Sequence, residues 1–489
     1  MRSGTRTGAL VVLAVVVTCV LAIGASADPR AALVIPAALA LVLVIRYSWA
    51  RAAFFVFGAF LVFQTSSGLS APKLFYFAVV GVSVLVSLTK LRGLSESTAL
   101  RSLFPAYVGG IGIILWQVLI VLPYSVAVQG ASLSNWLRDG ATYILIGCAV
   151  IIALDAIGTT SVRTSRILVI LVGALAAYSF AARWIAARGL VSAQPVDGDA
   201  ALLSSLTALT LAVSFSFAMA LAGSRINWAW FAAGVAFVFA VLVTGTRTGV
   251  VFAAVLIGIV GARSKRRAPV RRIVTAAVVG LAAIAAAVPL TAQFFQNEDF
   301  LAQRFASIWQ TIQNGVGSDQ SGAIRSRAYE YCLSLWQQNP LMGRGEGQTF
   351  VNPTTGVAGT DFSVDSPLVY LAKFGIIGCI ILLTCLVLIF VPLLRRAPMF
   401  DWTLANTAVR GCVAILVALL PFGASLEDKG FAITVGLAVL LVGAALAEQT
   451  PEVSGLLPRS KTSKSSLREK RKSGHGEREA TTVAAARRA

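Results

Sequence analysis

Charge is scarce in this chain. Only 13% of its 489 residues are Asp, Glu, Lys or Arg, about half the share found in ordinary soluble domains. Histidine is nearly missing, with the single copy, His475, close to the C-terminus. No CxxC pair and no Cys/His cluster occurs, so a conventional zinc site has no ligand set to draw on. Of six cysteines, Cys19, Cys148, Cys379, Cys385 and Cys412 fall inside apolar runs and only Cys332 lies in a long polar stretch. That placement leaves no disulfide framework there.

What the chain does have is apolar length. Hydrophobic residues make up 57% of it, and the mean hydropathy is +0.81. Runs of roughly 18 or more apolar residues recur, which is the pattern of spanning helices. The spans expected are 8–25, 31–45, 52–66, 74–89, 105–123, 140–157, 167–187, 202–222, 227–244, 248–262, 273–290, 367–394, 408–424 and 430–447. The second and third are short for a hydrocarbon core of roughly 30 Å. The expected fold class is all-α, a polytopic transmembrane helical bundle of about 14 spans (12–14) with a long, partly helical external loop. The chain divides into N-terminal helices over 1–200, helices carrying an arginine turn over 201–290, the loop over 291–366, C-terminal helices over 367–448 and a basic tail over 449–489.

The net charge is +20, but its placement argues against nucleic acid as a partner. The cluster Arg263–Arg272 and the tail Arg459–Ala489 hold six and ten basic residues, a topology signal beside spanning helices that also meets anionic lipid. No soluble domain is present to hold a duplex. Alternating the spans from a cytoplasmic N-terminus puts 28 Lys and Arg residues inside against 11 outside, so both termini are expected in the cytoplasm of a bacterium. Arg2, Arg6, the run Ala9–Ile23 and Ala25-Ser26-Ala27 look like a signal peptide. The next apolar run follows almost at once, and an uncleaved first helix is the reading adopted. The tail, rich in Ser, Lys, Arg, Glu and Gly, is expected to be disordered.

The loop between Pro289 and Pro367 is not simply polar. Phe294, Phe295, Phe300, Leu301, Phe305, Ile308, Trp309 and Ile312 form a stripe suited to a helix at the interface. A second helix is expected over Ala323–Gln338, with Ile324, Ala328, Tyr331, Cys332, Leu335 and Trp336 on one face and Asn339-Pro340 as its stop. Loops of this length in compact domains are usually functional.

Arg247, Arg304, Arg325, Arg327 and Arg344 all fall on the external side, where the inside bias disfavours them. Arginine keeps its charge and binds phosphate oxygens in bidentate fashion, so this set suits a pyrophosphate. Arg325 and Arg327 lie two apart on a helix and point to different faces, so one of them is expected to reach a shared site. Gly343 and Gly345, with Gly347, alternate around Arg344, which lets backbone amides approach an anion. Asp365 is the first choice as a base for an acceptor hydroxyl, with Glu346 and Asp361 in reserve. Asp365 also precedes Ser366-Pro367 and reads as a helix cap, a role compatible with that of a base.

Three segments in this order resemble the O-antigen ligase/polymerase family of membrane glycosyltransferases. They are Val243-Thr244-Gly245-Thr246-Arg247-Thr248-Gly249; Arg327 through Asn339-Pro340-Leu341-Met342-Gly343-Arg344-Gly345-Glu346-Gly347; and Asp365-Ser366-Pro367-Leu368-Val369-Tyr370-Leu371 with Lys373-Phe374-Gly375-Ile376-Ile377-Gly378. The resemblance covers roughly 205–390. It implies transfer of a polyprenyl-pyrophosphate-linked glycan to a glycan or lipid-glycan acceptor at the outer face of the cytoplasmic membrane, without cofactor or metal. The family's ligases place a histidine at the start of the third motif, where this chain has Asp365. That departure leans away from a lipopolysaccharide ligase and towards a polymerase. The alternative reading is a transporter or flippase of a lipid-linked oligosaccharide, which calls for ionisable residues at mid-membrane. The apolar runs hold few: Asp155, Lys373 and Arg410 lie near span ends.

Overall fold

The computed structural model describes residues 41–63, 70–91, 101–187, 206–221, 226–243, 320–351, 358–359, 366–395 and 423–449, with residues 413, 416, 417 and 420. These residues are mostly helical. Helix α1 begins at Ser48–Ala53, passes through a π-helical turn at Phe54–Gly58 and ends at Ala59–Val62. Then follow α2 (Ala71–Lys90), α3 (Phe104–Val128), α4 (Leu133–Thr159), α5 (Val162–Ala187), α6 (Leu206–Leu221) and α7 (Trp228–Val243). After the next described stretch begins come α8 (Gln320–Gln338), the short antiparallel pair β1 (Phe350–Val351) and β2 (Ala358–Gly359), α9 (Val369–Arg395) and α10 (Lys429–Gln449).

Five of the described helices are long and apolar enough to cross a membrane: α2, α3, α4, α9 and α10. Two more, α6 and α7, are apolar but shorter. The expected spans 8–25, 248–262 and 273–290, most of 31–45 and of 408–424 and the first interfacial helix of the loop lie outside the described residues. The second loop helix does form, one turn longer than expected at its start, and buries Ala328, Cys332 and Leu335.

Helix α4 is the axis of the bundle. Its first turn is closed by Ser132, whose Oγ accepts the Asn135 N–H at 3.2 Å. From Leu145 to Leu154 every side chain is buried, against α10 and α3 above all. Such a helix reads as apolar on all sides because it has no lipid or solvent face. Small residues set the spacing: a Cβ on Gly147 would come within 2.6 Å of Ile114 Cγ1. Close backbone approach of this kind is what holds helices together where lipid tails remove the hydrophobic drive.

The cluster at one end of α4 ties down three helices. Asp155 Oδ2 accepts from Arg51 Nε at 2.8 Å, from Arg51 Nη2 and from Ser87 Oγ at 3.1 Å, and Arg51 Nη1 donates to the Val44 carbonyl at 2.8 Å. Arg51 is fully buried, and a charge there persists only with this degree of pairing. The other end of α4 holds a second, more elaborate polar cluster.

Candidate functional site

The site starts from a turn that only glycine can make. After Asn339-Pro340 ends α8, Gly343, Gly345 and Gly347 take φ of +69°, +78° and +73°, a region that costs other L-residues strain. Space forbids side chains there as well. A Cβ on Gly345 would lie 2.8 Å from Ser125 Oγ, and one on Gly347 would lie 2.6 Å from the Trp136 nitrogen. The turn is thus threaded against α9, the end of α3 and the start of α4.

Opposite the turn, α9 is broken. Gly375 has φ 62° and ψ −168° in the middle of an apolar run, which interrupts the helical hydrogen-bond ladder. The turn makes good the loss. The N–H groups of Arg344 and Gly345 donate to the carbonyls of Ala372 and Lys373, both at 2.9 Å. Those of Ile376 and Ile377 donate to the carbonyls of Pro340 and Leu341 at 2.9 and 3.1 Å. Irregular backbone within a membrane bundle is tolerated where protein satisfies it in this way. Further bonds anchor the turn: Tyr124 OH donates to the Gly343 carbonyl at 2.9 Å, and the Glu346 N–H donates to Ser125 Oγ at 2.9 Å.

The break places Lys373 in the interior, 1% exposed. Its Nζ lies 3.0 Å from Asp139 Oδ2 and 2.7 Å from Glu427 Oε1. Asp139 Oδ2 also accepts the Gly347 N–H at 3.1 Å, and Tyr143 OH donates to Glu427 Oε1 at 3.3 Å. Glu346 is 0% exposed and takes one hydrogen bond on Oε1, from Gln117 Nε2 at 3.2 Å. Glu346 Oε2, Gln117 Oε1 and Trp136 Nε1 are buried and find no partner among the described residues. A Cβ on Gly140 would stand 2.7 Å from that Glu346 oxygen and 3.4 Å from the Gln117 oxygen, so the missing side chain of Gly140 makes room for the carboxyl.

Three carboxyl groups here share one ammonium. Burial first, and then the negative charge of Asp139, push the Glu346 carboxyl well above the usual carboxylate range. The neutral acid is the form that a dry, net-negative setting favours. It also supplies the proton that lets Glu346 Oε2 donate to an acceptor such as the unpartnered Gln117 oxygen. Beside the turn runs a shallow, open groove between α3 and α9. Its walls are apolar, with Trp116, Ile120, Phe374, Ile377 and Ile381, and its lining also includes Tyr124, Gly345 and Lys373.

Of the residues singled out from the sequence, Gly343, Arg344, Gly345 and Glu346 are brought together in the turn. Arg344 is half-buried, and its side chain makes no hydrogen bond among the described residues. Arg325 and Arg327 are both exposed on α8, and no described contact carries either to the turn. Glu346, held in reserve as a base, is fully buried. Arg247, Arg304, Asp361 and Asp365 lie outside the described residues. Just before α9, Ser366 Oγ accepts the Leu368 N–H at 3.1 Å. The sequence marks Lys373 as a charge near a span end and as part of the third motif, and it singles out neither Asp139 nor Gln117. The available signal was that Asp139, Lys373 and Glu427 interrupt or flank apolar runs at ends that the alternation of spans puts on one side.

Residues 232–383 match the family model described as O-antigen ligase. The match runs from within α7 into α9 and bears out, over that segment, the resemblance to an O-antigen ligase/polymerase-like family. The apolar helices mark a multi-pass membrane protein, and the matched segment is similar to a family of glycan-modifying ligases and polymerases. Asp139, Gln117, Ser125 and Glu427 all lie outside the matched segment. No curated protein matches the chain.

Proposed function

We propose that the protein is a membrane glycosyltransferase that moves a polyprenyl-pyrophosphate-linked glycan onto an acceptor glycan at the outer face of the bacterial cytoplasmic membrane. The observation that carries this reading is the position of Arg344. It stands on a rigid glycine turn locked into the break of α9, beside an apolar groove. A lipid-linked pyrophosphate has that division into apolar tail and anionic head. Pyrophosphate is a good leaving group, and fixed positive charge aimed at its oxygens lowers the barrier to departure. Arg344 supplies such charge, with Arg247 as its partner and Arg304 and one of Arg325 and Arg327 as further contacts for the anionic donor. The missing histidine favours polymerisation of a polysaccharide over ligation to lipopolysaccharide.

The test is transfer of a labelled polyprenyl-pyrophosphate oligosaccharide by the full chain in lipid nanodiscs. Arg344→Ala and Arg247→Ala are each expected to lower the rate by roughly 100-fold or more while the protein accumulates normally. Rates within a few-fold of wild type for both would sink the reading.

One observation favours the transporter alternative. The buried group of Lys373, Asp139, Glu346 and Glu427 resembles the ionisable centres that couple transport to ions. Product formed without any ion gradient separates the two, since a flippase moves its lipid and makes no new glycosidic bond.

A further inference from the structure

We propose that Asp139, on α4 and outside the matched segment, is the group that takes the proton from the acceptor hydroxyl. The inference rests on the glycosyltransferase reading and deepens it. Four ionisable side chains meet beneath the turn, and they differ in access. Glu346 is 0% exposed, Lys373 1%, and the side chain of Glu427 9%, whereas that of Asp139 is 22% exposed. Asp139 is therefore the member of the cluster that an acceptor arriving from outside can touch.

Its geometry fits the task. Both described contacts to its carboxylate fall on Oδ2, from Lys373 Nζ and the Gly347 N–H. They hold Oδ2 in place, and Oδ1 carries no hydrogen bond among the described residues. Gly347 is three residues from Arg344, so the two backbones are at most about 11 Å apart. A donor pyrophosphate on the arginine and an acceptor hydroxyl on Oδ1 can thus be served from one turn. The groups facing Asp139 are Lys373 from α9, Glu427 from the segment before α10, Glu346 from the turn and Tyr143 from its own helix.

The step balances. A lone pair of the acceptor oxygen forms the new bond to the anomeric carbon as the bond from that carbon to the pyrophosphate oxygen breaks. The breaking pair leaves with the polyprenyl pyrophosphate. The hydroxyl proton passes to Asp139 Oδ1 and from there to water. Positioned proton acceptors contribute roughly 100- to 10,000-fold to such reactions.

The experiment measures kcat and KM for a fluorescent polyprenyl-pyrophosphate disaccharide in nanodiscs from pH 5 to 9. It compares wild type with Asp139→Asn, Asp139→Glu and Asp365→Asn. Asp139→Asn is expected to lower kcat by roughly 100-fold or more with the donor KM within about three-fold. Asp139→Glu is expected to keep measurable transfer with the acidic limb of the pH profile displaced. If Asp139→Asn does not accumulate, the Asp139→Glu profile decides, and an unmoved acidic limb overturns the proposal. So does Asp139→Asn at a rate within three-fold of wild type, or loss of the acidic limb in Asp365→Asn alone. Wild type that transfers nothing removes the glycosyltransferase reading itself, an outcome distinct from active wild type with active Asp139→Asn.

Discussion

At the scale of single residues, the cluster is decided by who carries a proton. Glu346 is a carboxyl whose folded-state pKa is raised by burial and by Asp139. Such a group contributes stability that is fully present below the ordinary carboxyl pKa and is lost as pH rises through the raised value. Wild type is therefore expected to lose thermal stability progressively as pH climbs above the carboxylate range. Glu346→Gln, which keeps the shape and a neutral donor, should flatten that decline. Melting curves of the detergent-solubilised protein between pH 5 and 9 measure it, and equal slopes for the two proteins would mean that Glu346 is charged in the fold. Nothing near Glu346 in the sequence announces this state. Gln117 is 229 positions away, and the local reading of Gly345-Glu346-Gly347 sees only an open, flexible acid.

At the scale of elements, the contrast lies between helices that the sequence declares and the one it disguises. Apolar runs give α2 and α10 to within a few residues, because length and hydropathy are enough for an uninterrupted span. Helix α3 extends past Pro123 through two π-helical turns, Gln117–Val121 and Tyr124–Val128, and hydropathy carries no mark of those. Helix α4 begins at Leu133 rather than 140, since Asn135, Arg138 and Asp139 look like loop until their partners are known. The break in α9 was invisible for the same reason. Ala372-Lys373-Phe374-Gly375 sits in an apolar run, and the carbonyls that replace its helical bonds belong to Pro340 and Leu341. Gly375→Ala is expected to lower stability by about 2 kcal/mol or more, through left-handed strain and collision of the new methyl with the Leu341 carbonyl. Gly81→Ala in α2 meets nothing within 4 Å and is expected to be neutral or slightly stabilising. A shared drop in melting temperature for both variants would show that the break is no special position.

At the scale of the whole molecule, α4 carries a polar cluster at each end and an apolar stretch between. The Arg51–Asp155 group fastens α1 and α2 to one end, and the Lys373 group fastens the turn, α9 and the entry to α10 to the other. The arrangement expects the two ends to face opposite sides of the membrane. Ser134, in the first turn of α4, and Ser161, just past its other end, are both exposed. Ser134→Cys should react with an impermeant maleimide on intact spheroplasts, and Ser161→Cys only after permeabilisation. Labelling of both from one side would remove α4 from the set of spans and invert the placement of the site.

The hydrogen bonds between the turn and the broken helix also fix a count. Arg344 and Gly345 are registered on Ala372 and Lys373, while Pro340 and Leu341 are registered on Ile376 and Ile377. Adding or deleting one residue between Leu341 and Gly343 would slide one set of pairings against the other and move every left-handed position onto a residue with a side chain. Arg344 can be exchanged for chemistry, but the stretch that carries it is constrained in length. Insertions that surface loops normally absorb should be absent from this stretch and common on either side of it.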